Sequence, residues 1–401
     1  MNRPTLFGYG ITTKAIAKKL GGECIFFDDK AETPYTDEDN NKILPSQLFD
    51  PTKSKLEVTT PSVPPSHPLI KSAKNLMSEY DFFAKEMPFS IWISGTNGKT
   101  TTTQMLEHLL KKRGGVAGGN IGTPLAELDS KAPIWILESS SFTLHHTNIA
   151  SPNIYLLLPI TPDHLDWHKT AKEYEADKLK PLLTMKEGEL ALIPKGLNLP
   201  KSDAFIVEYD SVEFLENYFD IDSSKIRFKA AFLEDALLAL AVTKTLFDEL
   251  DYDTINSFKL DNHRQEETKD SKGRIWVNDS KATNLDATIQ AVKGYSDKFI
   301  RLIIGGNDKG ADLTPLFELL EDKEIHLYTI GANSERLAKL AKEHNINFTP
   351  CQTLENAVKR IDKEYKENDI ALLSPAAASF DQFNSYKHRG EEFFKFVENI
   401  Q

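Results

Sequence analysis

From about residue 260 to the end, short apolar runs alternate with amphipathic segments. RIWVND, FIRLIIGG, IHLYTIG and DIALLSP read as strands; SERLAKLAKEH, ENAVKRIDKEY and GEEFFKFVEN read as helices. Strands that alternate with helices form parallel sheets covered by those helices. The same grammar holds earlier in the chain. A first block reads strand TLFGYG, helix TKAIAKKL and strand CIFFDD, then a passage rich in proline (Pro61, Pro64, Pro65, Pro68). A second block opens after Pro88 with strand FSIWIS and helix TTQMLEHLLKKR. That helix carries Met105, Leu106, Leu109 and Leu110 on one stripe and stops at Gly114. Strands PIWILE, NIYLLLPI, ELALIP and AFIVEY follow, then a long apolar helix over roughly 230–249. The chain has 401 residues, a length that fits two to four domains. Ligands of such sheets gather beyond the carboxyl ends of the strands, so the loops there are where chemistry is sought.

Composition narrows the function. Forty per cent hydrophobic and 27% charged residues suit a soluble globular protein. A net charge of −12 argues against a general binder of nucleic acid or anionic membrane. An anionic small substrate then needs local clusters of Lys and Arg. Cys24 and Cys351 are the only cysteines, which fits a reducing compartment and no disulfide framework. MNRPTLFGYG lacks the apolar core of a signal peptide, and the apolar run near NIYLLLPI is too short to span a bilayer. The cytoplasm is the expected location.

The sharpest motif is IWISGTNGKTTTT at 91–103. A standard phosphate loop, G-x-x-x-x-G-K-[ST], would have its first glycine at 93, where Ile93 stands. The glycine is Gly95, which gives a compressed G-T-N-G-K-T. The loop still follows a strand and opens a helix, so its N–H groups and the helix dipole would face an anion. Lys99 would reach the outer phosphates and the Thr100 hydroxyl a magnesium ion; a plain glycine turn with an incidental lysine is the alternative. GYGITT in the first block resembles the dinucleotide turn, but Thr13 stands where the third glycine belongs. Asp28 and Asp29 end the next strand, where that motif has its ribose-binding acid. A nucleotide site and simple strand–helix packing both remain open there.

Other candidates also stand at strand ends. Glu138 ends PIWIL and His164 follows NIYLLLPI, positions that suit magnesium, which takes few protein ligands. NDSKATN (278–284) and GGNDKGAD (305–312) follow successive strands and bring Asp279, Lys281 and Lys309 to one sheet edge. The last strand runs into SPAAASFDQF, then Tyr386, His388 and Arg389.

GTNGKTT (95–101), GGNIG (118–122), ESSSF (138–142), the DH of TPDH (163–164), YEADKLK (174–180), HR (263–264), NDSKATN, GGNDKGAD and SPAAASFDQF together resemble the Mur ligases of peptidoglycan synthesis. They stand in family order over nearly the whole chain, and the compressed loop is the family's own form. NDSKATN and SPAAASFDQF resemble the branch that adds D-glutamate. The resemblance implies an α/β fold of three domains, each a mainly parallel sheet covered by helices. They would be a Rossmann-like UDP-binding domain (1–87), a phosphate-loop-type central ATPase domain (88–260) and a Rossmann-like D-glutamate domain (261–401).

The implied reaction joins D-glutamate to UDP-N-acetylmuramoyl-L-alanine with ATP and two magnesium ions, in a cytoplasmic monomer. Lys99, Glu138, His164, Lys178 and Lys281 would be catalytic. Gly95, Thr96, Asn97, Gly98, Lys99, Thr100 and Thr101, with Arg264 and Asp279, would bind ATP. Thr100, Glu138, His164 and a carbamylated Lys178 would hold the metal. Ile11, Thr12, Asp28, Asp29, Thr60 and Ser62 would contact the uridine and Asn120 the diphosphate. Thr283, Lys309, Ser379, Phe380 and Tyr386 would take D-glutamate. The family's His-Asn-x-x-Asn stretch is AAFLEDALLALA here, with Phe232 and Asp235 in place of the asparagines, and Thr143 replaces an expected glutamine. Other Mur-type and folylpolyglutamate-type ligases share the loop and form the nearest alternative. A nicotinamide dehydrogenase and a non-catalytic UDP-sugar sensor are the rivals from other classes.

Overall fold

The computed structural model describes residues 3–400. It contains three six-stranded sheets. The first holds β1 (Thr5–Phe7), β2 (Ile25–Asp28), β3 (Tyr35–Thr36), β4 (Lys42–Pro45), β5 (Glu57–Thr59) and β6 (Leu76–Met77), in the order β3-β4-β2-β1-β5-β6. The second holds β7 (Phe89–Ser94), β8 (Gly115–Gly119), β9 (Ile134–Glu138), β10 (Ile154–Leu157), β11 (Leu190–Pro194) and β12 (Phe205–Tyr209), in the order β12-β11-β10-β7-β9-β8. All its pairs are parallel. The third holds β13 (Glu266–Lys269), β14 (Ile275–Asn278), β15 (Phe299–Gly305), β16 (Ile325–Ile330), β17 (Phe348–Gln352) and β18 (Asp369–Leu373), in the order β13-β14-β18-β15-β16-β17. Among the strand pairs of the described residues, only β3–β4 and β13–β14 are antiparallel.

The chain divides into two compact units. One comprises residues up to Arg227 together with Glu234–Phe258, the other Phe228–Leu233 together with residues from Lys259 on. The first unit contains two sheets, and one apolar cluster runs through both: Leu6, Phe26 and Val58 from the first sheet join Trp92, Trp135 and Tyr155 from the second. Burying each such side chain contributes about 1.5–3 kcal/mol. In the second unit the third sheet is covered on both faces. Leu302, Ile304 and Leu327 pack on one side, and Ile303, Tyr328 and Leu373 on the other. Burial on both faces explains why these strands read as unbroken apolar runs.

The sequence reading lacks β3 to β6 of the first sheet and three strands of the other two, and those three have weak signals. β8 is GVAGG, with little β propensity. β17 contains Pro350, tolerated because the strand pairs only with β16. β13 is EETK, a polar edge strand. Helix Tyr386–Glu398 begins before the GEEFF run and is capped by the Ser385 side chain, which accepts from His388 N–H. Among the described residues no helix is long and apolar enough to cross a membrane.

Candidate active site

Sheet order sets the first half of the site. β7 lies between β10 and β9, and Gly95–Gly98 leads from its end into helix Lys99–Leu110. Gly95 has φ +144°, and a Cβ there would lie 2.5 Å from Leu158 Cβ. Gly98 caps the helix at φ +82°, with Asp235 Oδ1 2.5 Å from where a Cβ would stand. Only glycine fits either place without strain. The buried Asp235 accepts from Thr102 Oγ1 at 2.9 Å, so a carboxylate packs against the loop. Thr96 anchors the loop by donating from Oγ1 to Thr161 O at 2.9 Å. Thr101 Oγ1 is buried without a hydrogen-bond partner among the described residues.

Lys99 Nζ donates to Gly95 O at 3.0 Å and to Thr96 O at 2.8 Å. Lys178, in the last turn of helix Ala171–Leu179, is 1% exposed and donates to the same Gly95 O at 2.8 Å and to Ser94 Oγ at 3.3 Å. Two amine heads thus share one carbonyl. Burial, and next the charge of Lys99, push the Lys178 ammonium well below the usual lysine range.

Glu138 ends β9, in register with Ile93 of β7 and Gly119 of β8. Its buried carboxylate accepts from Thr100 Oγ1 at 2.8 Å and from Asn120 Nδ2 at 2.6 Å. His164 sits at φ +52° ahead of helix Leu165–His168, half exposed, its ring 4.8 Å from Phe142. Lys99, Thr100, Asn120, Glu138 and Lys178 are therefore brought together by direct contacts or a shared partner.

In the first sheet, Thr13 Oγ1 donates to Gly8 O at 2.6 Å and closes the turn that lacks its third glycine. Asp28 accepts from the N–H of Tyr9 at 2.6 Å. Asp29 accepts from Ser46 and pairs with His67 at 2.9 Å, and these partners, Ser46 foremost, hold its carboxyl below the usual range. Thr60 and Ser62 hydroxyls are 2.6 Å apart. Ile11 is exposed and Thr12 half-buried at the start of helix Ile11–Lys19.

The second unit carries the remaining candidates, Arg264 ahead of β13 and the others on the segments that follow β14, β15 and β18. Asp279 is buried and accepts from Ser374 Oγ at 2.8 Å and Gln265 N–H at 3.2 Å. Burial pushes its carboxyl up to about 7. Arg264 Nε is buried without a partner among the described residues. Lys281 Nζ lies 3.6 Å from Asp261 and 5.9 Å from the Tyr386 ring centroid. Thr283, Lys309 and Phe380 are exposed, and Ser379 Oγ is buried with no hydrogen-bond partner among the described residues. An orphaned buried hydroxyl beside exposed cationic and aromatic side chains is what a polar ligand would complete.

Sequence reading missed Asp177. It receives His145 Nδ1 and His168 Nδ1, both at 2.9 Å, and His168 Nε2 lies 2.9 Å from Ser141 Oγ. These contacts tie the Lys178 helix to helix Ser141–His145, which begins within ESSSF. A lone aspartate among many acids carries no sequence signal for such a role.

Two family models match the chain: Mur ligase middle domain over residues 93–201, and Mur ligase, glutamate ligase domain, over residues 263–377. Among curated proteins, a Campylobacter jejuni subsp. jejuni (strain 81-176) protein is 49% identical over 99% of both chains. A Helicobacter pylori (strain HPAG1) protein is 44% identical over 98% of this chain and 99% of its own length. The chain belongs to the Mur ligase family. Both relatives carry the name UDP-N-acetylmuramoylalanine–D-glutamate ligase. Among solved Mur ligases, the Thermotoga maritima MurF ligase in complex with ADP aligns at TM-score 0.56 and 16% identity, over 86% of this chain and 88% of that one. Thermotoga maritima UDP-N-acetylmuramate-alanine ligase aligns at TM-score 0.54 and 15% identity, over 98% of each chain. These structures share the fold.

Proposed function

We propose that this Mur ligase joins D-glutamate to the L-alanyl carboxylate of UDP-N-acetylmuramoyl-L-alanine at the expense of ATP. The reading makes it a cytoplasmic enzyme of peptidoglycan precursor synthesis, acting as a monomer. The near-full-length identity to relatives of that name supports the substrates. The observation that carries the chemistry is the Glu138 carboxylate bridging Thr100 of the phosphate loop and Asn120 of GGNIG. It couples the ATP end to the UDP end.

In this reading the domains run 1–87 for UDP, 88–260 for ATP and 261–401 for D-glutamate. Ile11, Thr12, Asp28, Asp29, Thr60 and Ser62 hold the uridine, and Asn120 the diphosphate. Gly95–Thr101 and Lys99 cradle the ATP phosphates, Arg264 contacts them, and Asp279 faces the ribose. A carboxylate oxygen of the alanyl group attacks the γ-phosphorus, and ADP leaves with the bridging oxygen. The amine of D-glutamate then attacks the carbonyl carbon of the acyl phosphate, loses a proton, and phosphate departs. Both steps crowd anions together, so catalysis rests on positioning and on cationic partners. Lys99 and Lys281 supply fixed charge. Thr283, Lys309, Ser379, Phe380 and Tyr386 orient D-glutamate.

The Thr100 hydroxyl and Glu138 carboxylate, 2.8 Å apart, are hard oxygen donors and fit magnesium. His164 and Lys178 would hold the second ion, Lys178 after its neutral amine has added CO₂ to give a carboxylate-like carbamate. Bound there, magnesium would offset charge developing on the transferred phosphoryl group. A coupled assay of phosphate release tests the reading. Release is expected only with UDP-N-acetylmuramoyl-L-alanine, ATP and D-glutamate together. NADH oxidation, or substrate binding without phosphate release, would favour the rivals.

A further inference from the structure

Three loops leaving the carboxyl edge of the third sheet meet at one side chain to which the mechanism gives no role. Arg389 lies in the first turn of helix Tyr386–Glu398 and is 1% exposed. Its Nε donates to Ser280 Oγ at 2.9 Å and its Nη2 to Ser280 O at 2.8 Å. Nη1 and Nη2 both donate to Ala377 O at 3.1 Å. Ser280 belongs to the loop after β14 and Ala377 to the loop after β18. The loop after β15 closes on the same group, since a Cβ on Gly306 would lie 3.4 Å from Nη1. Asn307 and Ala378 exchange two backbone hydrogen bonds of 2.9 Å, which fastens that loop to the one after β18.

The side chains assigned to the amino acid follow directly along these loops: Thr283 after Ser280, Lys309 after Gly306, Ser379 and Phe380 after Ala377. None of the groups hydrogen-bonded to Arg389 is a carboxylate. Asp279 and Asp381 act on it only through space. Burial pulls the guanidinium down to about 10, so it remains charged at neutral pH. A planar fork can bridge two loops at once, which a single ammonium cannot. Its charge is shielded from solvent ions and so reaches farther than a surface charge.

We propose that Arg389 is a positioning residue of the amino-acid site: its guanidinium holds these three loops in register, and through them it sets the affinity for an acceptor amino acid bearing two carboxylates. This rests on the reading of the second unit as the D-glutamate site.

Steady-state phosphate release by the full chain, with each substrate varied in turn, tests it in Arg389→Lys and Ser280→Ala. Arg389→Lys is expected to raise KM for D-glutamate about tenfold or more, with the KM values for ATP and the UDP substrate within about twofold. kcat at saturating D-glutamate should fall less than KM rises. Ser280→Ala removes one acceptor, keeps the charge and should raise the same KM about threefold. Unchanged D-glutamate dependence in the folded variants overturns the proposal. So does an equal rise in all three KM values, the signature of a general loosening. Should Arg389→Lys fail to fold, Ser280→Ala decides alone. Phosphate release by the unsubstituted chain that ignores D-glutamate would instead sink the assigned reaction, an outcome visible before any variant is made.

Discussion

Lys178 and Arg389 are both 1% exposed, and both donate to backbone carbonyls and serine hydroxyls rather than to a carboxylate. Burial lowers both pKa values, with opposite chemical results. A lysine starts near 10.5, and burial, with Lys99 next, pulls it well below that and so favours the neutral amine. An arginine starts at 12.5 and, at about 10, keeps its proton. The first environment suits the proposed conversion of an amine to a carbamate. The second keeps a cation in place, as the proposed positioning role needs. The same desolvation therefore serves two purposes according to the side chain on which it acts.

The largest expected effect breaks the first half of that comparison. Lys178→Ala should lower kcat by about a thousandfold or more, equivalent to about 4 kcal/mol of transition-state stabilisation. Added short-chain carboxylic acids should restore part of it by occupying the vacated space. Lys178→Arg keeps a cation, cannot form a carbamate, and should stay inactive with or without those acids. An active arginine variant would show that position 178 acts as a cation.

Lys99→Ala should cost at least about a hundredfold in turnover, because the cationic partner of the transferring phosphoryl group is lost. Calorimetry should still find UDP-N-acetylmuramoyl-L-alanine binding, since the residues proposed for the uridine belong to a different sheet. Near-normal turnover would remove Lys99 from the role assigned. The same substitution takes away the second cause of the low Lys178 pKa, so carbamylation should then require higher pH.

Lys309 is the exposed counterpart to both buried bases. Lys309→Ala should raise KM for D-glutamate about tenfold to a hundredfold, the worth of a charged hydrogen bond of roughly 1.5–3 kcal/mol. Weakened ATP binding with unchanged D-glutamate dependence would move this residue to the nucleotide.

The smallest effect sharpens the comparison with an acid. Glu79 is buried between the first two sheets' elements, accepts from Ala126 N–H at 3.4 Å, and burial pushes it from 4.5 up to about 8. Between those values the folded chain holds a proton that the unfolded chain has released. Stability should therefore fall as pH rises from about 4.5 to 8 and level off above. Glu79→Gln should match the unsubstituted chain near pH 5 and exceed it at pH 8 by about 1–3 kcal/mol in denaturant unfolding. A pH-independent difference would mean that Glu79 stays ionised.

Much of this was legible in sequence because it depends on local order. β7, its compressed loop and the following helix announce themselves by apolar run, glycine spacing and lysine. Glu138 was reachable because it ends a strand, and parallel strand ends share an edge. What sequence hides is desolvation. Arg389 stood among polar loop residues with nothing to mark it as buried, and nothing in the sequence marks the Asp279 carboxylate as buried and bonded to Ser374 and Gln265. The Asp177–His168–Ser141 contacts join three separate short helices, a tertiary fact without a periodic signal.

The central claim is that an alanyl carboxylate is activated by phosphorylation before D-glutamate attacks. UDP-N-acetylmuramoyl-L-alanine labelled with oxygen-18 in that carboxylate tests it directly, with the released phosphate read by mass spectrometry. One labelled oxygen per phosphate is expected, appearing only when ATP and D-glutamate are both present. Unlabelled phosphate accompanying amide formation would contradict an acyl-phosphate route and with it the roles given to Lys99, Glu138 and Lys178.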